Sequence, residues 1–405
     1  MKEKHFFQWV KKGIVQWVRF ALIKLCGVKT RIAIRHNKGE NNTVLVIKYD
    51  GLGDFVLFLN TAREIKRFYA GKRIVFSCPP YCIPYAEACG CFDEIISVNH
   101  EDFFIKNIFR TYGLLQKNKY DILLHPTQPR SVHSEIIAYL VNAKTKVASV
   151  GECGGVPRKV KEKWDKTYDK FIDQGVQNMT LIQSAVFLRG LGDVAYKARL
   201  PYMDINTIGE RHIFLPQEFF IIFMGASVYN KQWQPSRFYE VAQFVERKTG
   251  WKCVLCGGEG DSEQENMFAK QGPLEFYSFV GKTNLHDLAY IISKSKLVIG
   301  NDTSAIHIAN ALNIQSICIK GHFSGEKFYP YVTEIDEYDR VKPIAVCCPK
   351  EDYSCYSCTT QDDGRNGYAC IQHYFAKEKV RCIDEISVEM VCNAINKWLS
   401  TIEGC

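Results

Sequence analysis

Four small polar residues lie where a predicted buried strand gives way to a helix. The strand is predicted over residues 296–299, and Asn301, Asp302, Thr303 and Ser304 precede the apolar pattern of the helix. The first turn of a helix presents unpaired backbone N–H groups and about half a positive charge, which suit phosphate oxygens. This stretch therefore predicts a phosphate or diphosphate site. The alternative is that Asp302 or Thr303 only caps the helix.

A carboxylate occupies a similar position in the amino-terminal half. Asp54 ends the run Asp-Gly-Leu-Gly-Asp, which joins a β-branched strand predicted over residues 43–48 to a helical pattern that includes Phe55. A carboxylate held at a strand end can accept a proton from a substrate hydroxyl. The alternative is that Asp54 caps the helix, because a lone Gly-x-Gly is a weak signal.

The elements that carry these residues alternate between strands and helices. Further strands are predicted over residues 220–224 and 252–255, and helical patterns follow, one with Pro235 near its first turn and one that includes Leu285. Such alternation predicts an α/β fold with doubly wound sheets. Ligands of such sheets bind at the carboxyl ends of the strands, where both candidate sites lie.

Several segments, taken together and in order, resemble those of a known family. They are Val46 to Asp54, Gly225-Ala226-Ser227, Lys231-Gln232-Trp233, Arg237-Phe238, Gly281-Lys282-Thr283, and Gly300 to Thr303 with His307. In this combination the chain resembles glycosyltransferase family 9, the bacterial ADP-heptose:lipopolysaccharide heptosyltransferases, over about residues 43–395. Three positions depart from the family's usual residues: Ser304-Ala305 replaces Gly-Pro, and Lys48 replaces Arg.

The resemblance implies a GT-B fold, in which two Rossmann-like doubly wound domains face each other across a cleft. It also implies an inverting glycosyltransferase that moves a heptose or a related sugar from a nucleotide sugar, ADP-heptose in the family, to a lipopolysaccharide core acceptor. Catalysis then requires no cofactor, because a cation and helix-end N–H groups stabilise the leaving diphosphate.

The resemblance also assigns roles to individual residues. Asp54 matches the catalytic base, and Lys231 matches the phosphate-binding lysine. Further donor-binding residues are Ser227, Asp302, Thr303 and Ser304, and residues for acceptor binding or loop support are Gly51, Gly53 and His307. From residue type alone, the alternatives are a solvated surface lysine at position 231 and a packed helix histidine, bonded to a backbone carbonyl, at position 307.

Other functions stay open from the sequence. One is a family 9-like transferase that modifies a protein hydroxyl or another surface glycan. A second is a GT-B-like sugar-nucleotide epimerase, and a third is a binding protein without activity. The presence of both Asp54 and Lys231 argues against the inactive protein. The absence of a second obvious acid argues against the epimerase.

The length of 405 residues suits two domains with extensions, and hydrophobic and charged contents of 46% and 24% are typical of globular chains. The predicted divisions are a basic amphipathic extension over residues 1–40, an acceptor domain over 41–203, a nucleotide-sugar domain over 204–384, and a helix over 385–405. From the resemblance, that last helix returns toward the first domain.

The first forty residues lie outside the resemblance and predict a basic amphipathic helix. At about 100° per residue, Gln8, Lys12, Gln16 and Arg19 share one face. The opposite, apolar face comprises Phe6, Phe7, Val10, Ile14, Trp17, Val18, Ala21 and Leu25. Charged residues interrupt every long apolar run, so neither a membrane-spanning helix nor a secretory signal is predicted.

This helix and the net charge of +8 favour an anionic membrane surface as a partner. No nucleic-acid-binding module is recognisable, so no nucleic acid partner is expected. The predicted location is cytoplasmic and peripheral, at the inner face of the inner membrane. The alternative is that the helix packs on the protein's own core.

The chain has 17 cysteines, and a cluster of four lies in or near a Gly- and Asp-rich segment late in the sequence: Cys355, Cys358, Cys370 and Cys382. Their spacing suits a structural zinc or iron ion, with disulfides or free thiols as alternatives. Cysteines within apolar elements are predicted as buried thiols, and these include Cys253, Cys256, Cys318 and Cys392.

Overall fold

The computed structural model describes residues 2–36, 41–128, 130–151, 158–175, 179–228, 231–322, 325–352 and 381–403, with the side chains of residues 2–17 and of Arg381 outside that description. The chain forms two compact units. Unit 1 comprises residues 1–50, 63–174 and 190–193, and unit 2 comprises residues 51–62, 175–189 and 194–405. The domain boundaries predicted from the sequence stay a prediction.

Unit 1 contains a sheet of six parallel strands. They are β1 (Thr43–Ile47), β2 (Arg73–Cys78), β3 (Glu94–Ser97), β4 (Tyr120–His125), β5 (Ala143–Ser149) and β6 (Lys170–Ile172). Their order is β3-β2-β1-β4-β5-β6, so the direction of the strand order reverses between β1 and β4. All residues of β1 are buried, as expected of a central strand in a parallel sheet.

Unit 2 contains a second sheet of six parallel strands. They are β7 (Phe219–Phe223), β8 (Lys252–Cys256), β9 (Phe276–Ser278), β10 (Leu297–Asn301), β11 (Ser316–Ile319) and β12 (Ile344–Val346). The order β12-β11-β10-β7-β8-β9 repeats the connectivity of unit 1, with the reversal between β7 and β10. Both sheets therefore have the doubly wound Rossmann order that the sequence predicts.

The helices connect and flank these strands. They are α1 (Lys2–Arg35), α2 (Leu52–Phe68), α3 (Ile83–Ala88), α4 (Ile108–Gln116), α5 (Val132–Leu140), α6 (Arg158–Asp165), α7 (Thr180–Leu191), α8 (Pro235–Thr249), α9 (Ser262–Ala269), α10 (Leu285–Lys294), α11 (Ser304–Ala311), α12 (Arg381–Asp384) and α13 (Val388–Glu403). Helix α8 begins with Pro235, whose fixed φ suits a first helical position, and ends before Gly250 at a φ of 76°.

Three predicted element boundaries near the candidate sites are wrong. Helix α2 begins at Leu52, so Asp54 lies in its first turn and does not cap it. Strand β1 ends at Ile47, one residue earlier than predicted. Strand β10 continues to Asn301, because Gly300 and Asn301 pair in parallel register with Cys318 and Ile319 of β11.

The carboxy-terminal half of α1 packs on unit 1. Ile23 and Cys26 belong to the apolar core of that unit, and the buried Thr30 hydroxyl donates a hydrogen bond of 3.0 Å to the backbone carbonyl of Leu140. Ile23, Cys26 and Thr30 therefore pack on the protein's own core, as the alternative expects, whereas Leu25, Val28 and Ile32 of the same helix are exposed. None of the helices that the structure describes is long and apolar enough to cross a bilayer.

The packing of α1 on α5 depends on the absence of a side chain at Gly27. A Cβ atom there would lie 2.0 Å from Cε1 of Tyr139. Alanine normally stabilises a helix relative to glycine, but here we expect Gly27→Ala to lower the free energy of unfolding by about 1–3 kcal/mol, since the ring must move. Urea-induced unfolding measures this change.

The matched control is Gly113→Ala within α4, where a Cβ atom meets no atom within 4 Å. This substitution should raise the free energy of unfolding by about 0.5–1 kcal/mol. If both variants are stabilised alike, α1 does not dock on Tyr139.

Candidate active site

Two loops meet at the carboxyl ends of β7 and β10, where the strand order of unit 2 reverses. The loop after β7 carries Lys231, and the turn after β10 carries Asp302. The Lys231 Nζ atom lies 2.7 Å from Oδ2 of Asp302, and the two side chains are 13% and 6% exposed. Lys231 is therefore not a solvated surface lysine. The ion pair joins the two predicted donor-binding segments across the point where doubly wound sheets bind ligands.

Asn301, the last residue of β10, fixes the path of the loop that carries Lys231. Its buried side chain accepts a hydrogen bond of 3.1 Å from the backbone N–H of Trp233 and donates one of 2.6 Å to the backbone carbonyl of Met224. The indole Nε1 of Trp233 in turn donates to the carbonyl of Ile386 at 2.9 Å. The positioning role of Asn301 was not predicted, although a fully buried amide at a strand end is the kind of signal that indicates one.

Thr303 and Ser304 form the amino-terminal end of α11. Thr303 occupies the position before the first helical residue, with an extended backbone, yet its side chain makes no capping hydrogen bond. Its Oγ1 atom is buried and has no hydrogen-bond partner among the described residues. The alternative that Asp302 or Thr303 merely caps the helix is therefore wrong, because the Asp302 carboxylate accepts a hydrogen bond from Lys231 and the Thr303 side chain makes no capping bond.

The first turn of α2 packs directly against this end of α11 within unit 2. A Cβ atom on Gly53 would lie 2.6 Å from Cδ2 of His307 and 3.5 Å from Cα of Ser304. Asp54 follows in the same turn and is half-buried, and a Cβ atom on Gly51 would lie 3.1 Å from its Oδ2 atom. The structure thus brings the predicted base next to the predicted phosphate-binding turn.

His307 is a neutral, packed imidazole. Its Nδ1 atom lies 2.5 Å from the hydroxyl of Tyr331, and its ring stacks on those of Tyr329 and Tyr331. The sequence-based alternative is right about the packing and wrong about the partner, which is a tyrosine hydroxyl and not a backbone carbonyl. Burial lowers the pKa of His307 to about 4, an effect that the nearby Asp302 and Asp54 carboxylates oppose.

Asp261 is a further residue of this sheet edge that sequence reasoning missed. Cβ atoms on Gly225 and Gly257 would lie 2.2 Å and 2.7 Å from its Oδ2 atom, so the carboxylate fills the space beside two glycines at the ends of β7 and β8. Oδ2 also accepts a hydrogen bond of 2.8 Å from the Gly258 N–H. Burial raises the pKa of Asp261. The predicted donor residue Ser227, two positions after Gly225, is exposed in the turn after β7.

Unit 1 has its own groove at the carboxyl ends of β1, β2 and β3, with a volume of about 510 Å³. The rings of Tyr49 and His133 face each other there at 4.8 Å, and Nε2 of His133 lies 3.0 Å from the carbonyl of Val98. Burial lowers the pKa of His133 to about 4. The exposed Tyr81 donates a hydrogen bond of 2.8 Å to the carbonyl of Asp50. These aromatic residues were not predicted as site residues.

Three of the four clustered cysteines, Cys355, Cys358 and Cys370, lie outside the described residues, so their pairing with Cys382 stays a prediction. Cys382 itself is buried, and its Sγ atom lies 3.4 Å from the backbone N of His322. The ranges that the structure covers contain no group of three or more His, Cys, Asp or Glu side chains arranged to hold a metal ion. Cys253, Cys256 and Cys318 are buried thiols as predicted, and Cys392 is half-buried.

The buried state of His307 predicts a pH-dependent stability. Its pKa in the folded chain lies below the usual value of about 6.5, so protonation favours the unfolded chain. The stabilisation is complete above pH 6.5 and is lost as the pH falls toward about 4. Between pH 7 and pH 5 we expect His307 to account for about 2 kcal/mol of lost unfolding free energy. The His307→Gln variant keeps a hydrogen-bond partner for Tyr331. In urea-induced unfolding, its free energy of unfolding should fall between pH 7 and pH 5 by about 2 kcal/mol less than that of the unsubstituted protein.

The control for this prediction is His212→Gln, because His212 is exposed. Its unfolding free energy should follow that of the unsubstituted protein at both pH values. A His307→Gln variant that loses as much stability as the control would contradict the neutral, buried imidazole.

Solved structures with the same architecture include heptosyltransferases. The ADP-heptose lipopolysaccharide heptosyltransferase II of Escherichia coli matches with a TM-score of 0.64 and 17% identity, over 89% of this chain and 99% of that chain. An iron-containing dodecameric glycosyltransferase from enterotoxigenic E. coli matches with a TM-score of 0.53 and 15% identity, over 90% of this chain and 77% of that chain. With the two parallel sheets, these likenesses confirm the predicted GT-B fold class.

Sequence comparison identifies the family. The chain is 24% identical to lipopolysaccharide heptosyltransferase 3 of E. coli over 226 residues, which are 54% of this chain and 64% of that relative, so the match spans less than two thirds of the relative's length. The profile of glycosyltransferase family 9 (heptosyltransferase) matches residues 109–339, more than half of the chain. The predicted family is therefore confirmed, and the chain belongs to glycosyltransferase family 9.

Proposed function

We propose that this protein transfers a heptose from a nucleotide sugar, ADP-heptose, to a lipopolysaccharide core acceptor with inversion at the anomeric carbon. One observation carries the proposal. Gly53 packs against His307 and Ser304, so the turn with the Asp54 carboxylate adjoins the turn with Thr303 and Ser304 in a single compact unit. A base beside an anion site is the arrangement that sugar transfer from a diphosphate requires.

The donor diphosphate is proposed to bind at the amino-terminal end of α11. Backbone N–H groups at a helix start attract phosphate oxygens, and the Thr303 hydroxyl, which no described residue bonds, supplies a further donor. Lys231 adds a cation that its bond to Asp302 holds in place. Because the charge on the diphosphate grows as it leaves, these fixed donors stabilise the transition state without a divalent ion.

Asp54 is proposed as the general base. Its carboxylate accepts the proton of the acceptor hydroxyl while that oxygen forms a bond to the anomeric carbon, and the bond from this carbon to the diphosphate oxygen breaks. Asp54 lies in the first turn of α2, which orients its carboxylate at the carboxyl end of β1. His307 is neutral and bonded to Tyr331, which fits a role in supporting the Gly53 turn.

The acceptor sugar is proposed to bind in the unit 1 groove. The rings of Tyr49, Tyr81 and His133 line this groove, and a concave, largely apolar lining with a few polar groups is typical of small-molecule sites. A protein hydroxyl or another surface glycan remains the alternative acceptor, and a panel of acceptors distinguishes them.

The location is proposed to be cytoplasmic and peripheral, at the inner face of the inner membrane, where the lipid A–core acceptor would lie. The basic helix α1 supports this location. A structural zinc or iron ion is proposed for Cys355, Cys358, Cys370 and Cys382. The existence of an iron-containing glycosyltransferase with a similar fold and the buried position of Cys382 support the metal.

Substitutions at Asp54 and Lys231 separate the base from the donor site. Asp54→Asn should lower the turnover of heptose transfer by about 10²-fold or more and leave ADP affinity within about threefold, since the amide cannot accept the proton. Lys231→Gln should weaken ADP binding by about tenfold or more, because it removes the cation but keeps a hydrogen-bond donor for Asp302. Steady-state kinetics and calorimetric titration with ADP provide the two measurements.

The two variants serve as controls for each other. Unchanged turnover in Asp54→Asn would refute the assignment of the base. A Lys231→Gln variant whose only change is in the kinetics of the acceptor would refute the phosphate contact.

The metal site predicts about one zinc or iron ion per purified chain, lost in the Cys355→Ser, Cys358→Ser double variant because thiolates are the ligands. Elemental analysis of both proteins measures it. The matched control is the Cys253→Ser, Cys256→Ser double variant, whose cysteines lie in β8 and should leave the metal content unchanged. Metal-free unsubstituted protein would contradict the site.

A further inference from the structure

A second groove of unit 1 lies between α1, α5 and α6 and has a volume of about 690 Å³. Six of the side chains that line it are basic, and we name it the basic groove: Lys24, Arg31, Lys144, Lys146, Lys163 and Lys166. Among the described residues that line it, Asp169 is the one carboxylate. A cavity with this balance attracts an anion.

The basic groove is distinct from the proposed sugar-transfer sites. Its lining includes Ala143, the first residue of β5, and Asp169, which directly precedes β6. These positions mark the amino ends of the strands, whereas Tyr49 and His133 line a groove at the carboxyl ends of β1 to β3. In a parallel sheet the amino and carboxyl ends of the strands lie on opposite sides of the sheet, so the basic groove does not serve the transfer reaction directly.

Several of its cations are available to a ligand. Lys144 pairs with Asp121 at 2.8 Å, and Lys146 donates to the carbonyl of Ala138 at 2.6 Å. In contrast, no carboxylate of the described chain pairs with Lys24, Lys163 or Lys166, all of which are exposed. An anion in the groove therefore gains new ion pairs without breaking existing ones.

The walls of the basic groove are apolar and aromatic. The rings of Tyr139 and Trp164 meet edge to face at 5.9 Å, Arg31 stacks on Tyr139 at 5.6 Å, and Phe20 is 47% exposed. A small free anion gains nothing from such walls. An amphiphile does, because tyrosine and tryptophan favour the layer between lipid headgroups and acyl chains.

Helix α1 continues this surface. Leu25, Val28 and Ile32 are 49%, 50% and 52% exposed and follow one another at helical spacing, and we name them the apolar stripe. Ile23 and Cys26, on the other side of the helix, belong to the core of unit 1. The apolar stripe is thus a second apolar face that the packing of unit 1 leaves in solvent.

The charge of the chain is concentrated in the same helix. Residues 2–35 contain nine of the 52 lysines and arginines but one of the 44 carboxylates, so α1 carries the whole net charge of +8 and the remainder of the chain is neutral. A uniformly solubilising charge would be spread over the surface. This distribution is complementary to an anionic plane beside α1.

We propose that the basic groove binds the phosphate of an anionic phospholipid in a bilayer while the apolar stripe enters the headgroup layer. The proposal deepens the membrane location given above and rests on it, but not on sugar transfer. Reversible attachment of this kind needs two contributions, since neither a few exposed side chains nor surface charge alone holds a protein of this size firmly.

The test is co-sedimentation with vesicles of phosphatidylcholine that contain phosphatidylglycerol. The groove variant carries Lys24→Gln, Arg31→Gln, Lys163→Gln and Lys166→Gln. Each basic side chain near an anionic surface changes affinity by about fivefold, so we expect this variant to bind at least about 20-fold more weakly. Vesicles of phosphatidylcholine alone should bind neither protein.

The matched control removes the same charges elsewhere on unit 1, through Lys106→Gln, Arg110→Gln, Lys117→Gln and Lys119→Gln at exposed positions outside the groove. It should lose less than about threefold. Equal losses of vesicle affinity in the two quadruple variants would show that the attraction depends only on total charge, and this would overturn the proposal. Undiminished vesicle binding by the groove variant would also overturn it. Titration with soluble glycerol phosphate that saturates the groove without vesicles would assign the site to a free phosphate and also overturn it.

The apolar stripe is tested with Leu25→Gln, Val28→Gln and Ile32→Gln, which should lower vesicle affinity by about tenfold in a salt-independent manner. The control triple variant is Val194→Gln, Phe214→Gln and Val332→Gln, at exposed positions of unit 2. If the stripe variant instead changes the sedimentation mass and leaves vesicle binding intact, a second copy of the chain covers the stripe and the proposal fails. Cooperative unfolding and ADP binding, measured on each protein, report failures of folding or of the donor site separately.

Discussion

The Lys231–Asp302 ion pair is the interaction on which the candidate site depends. Burying an ion pair costs desolvation free energy unless the surrounding groups satisfy both partners. Here the two partners lie on loops that follow β7 and β10, which are neighbours in the sheet. Asn301 anchors both loops through its bonds to Trp233 and Met224. Because the pair holds the turn before α11 in place, it also determines where the Thr303 hydroxyl and the start of that helix lie.

A second constraint is the contact that Gly53 makes with His307. Residues 51–62 directly follow the first strand of unit 1, yet they pack with unit 2. Only a residue without a side chain allows this approach, since any Cβ atom would overlap the imidazole. The buried imidazole cannot move away easily, because Tyr331 bonds it and Tyr329 stacks on it. The position of Asp54 is therefore determined by the contact between Gly53 and His307, and the Asp54 side chain itself need not touch His307.

Sequence periodicity predicted the fold well because local signals mark its parallel strands. Apolar runs predicted β7 and β8, Pro235 marked the start of α8, and the motif resemblance identified the family. What could not be predicted are contacts between residues distant in sequence. Asn301 and Trp233 are 68 positions apart, and Asp261 fills space beside Gly225 in the loop after a different strand. Contacts of this kind produce no periodic pattern in a single sequence. Only the three-dimensional structure therefore shows which residues hold the site in place.

Helix α1 is an element whose packing the periodicity of the sequence does not predict correctly. Its periodicity predicts an apolar and a polar face, and a globular chain would ordinarily bury the apolar one. In the described half, however, the core receives Ile23, Cys26 and Thr30, whereas Ala21 and Leu25 of the predicted apolar face are exposed. Thr30 is accommodated because its hydroxyl bonds to Leu140. The exposed side of the helix therefore combines the apolar stripe with cations such as Lys24 and Arg31, and this combination favours an anionic surface.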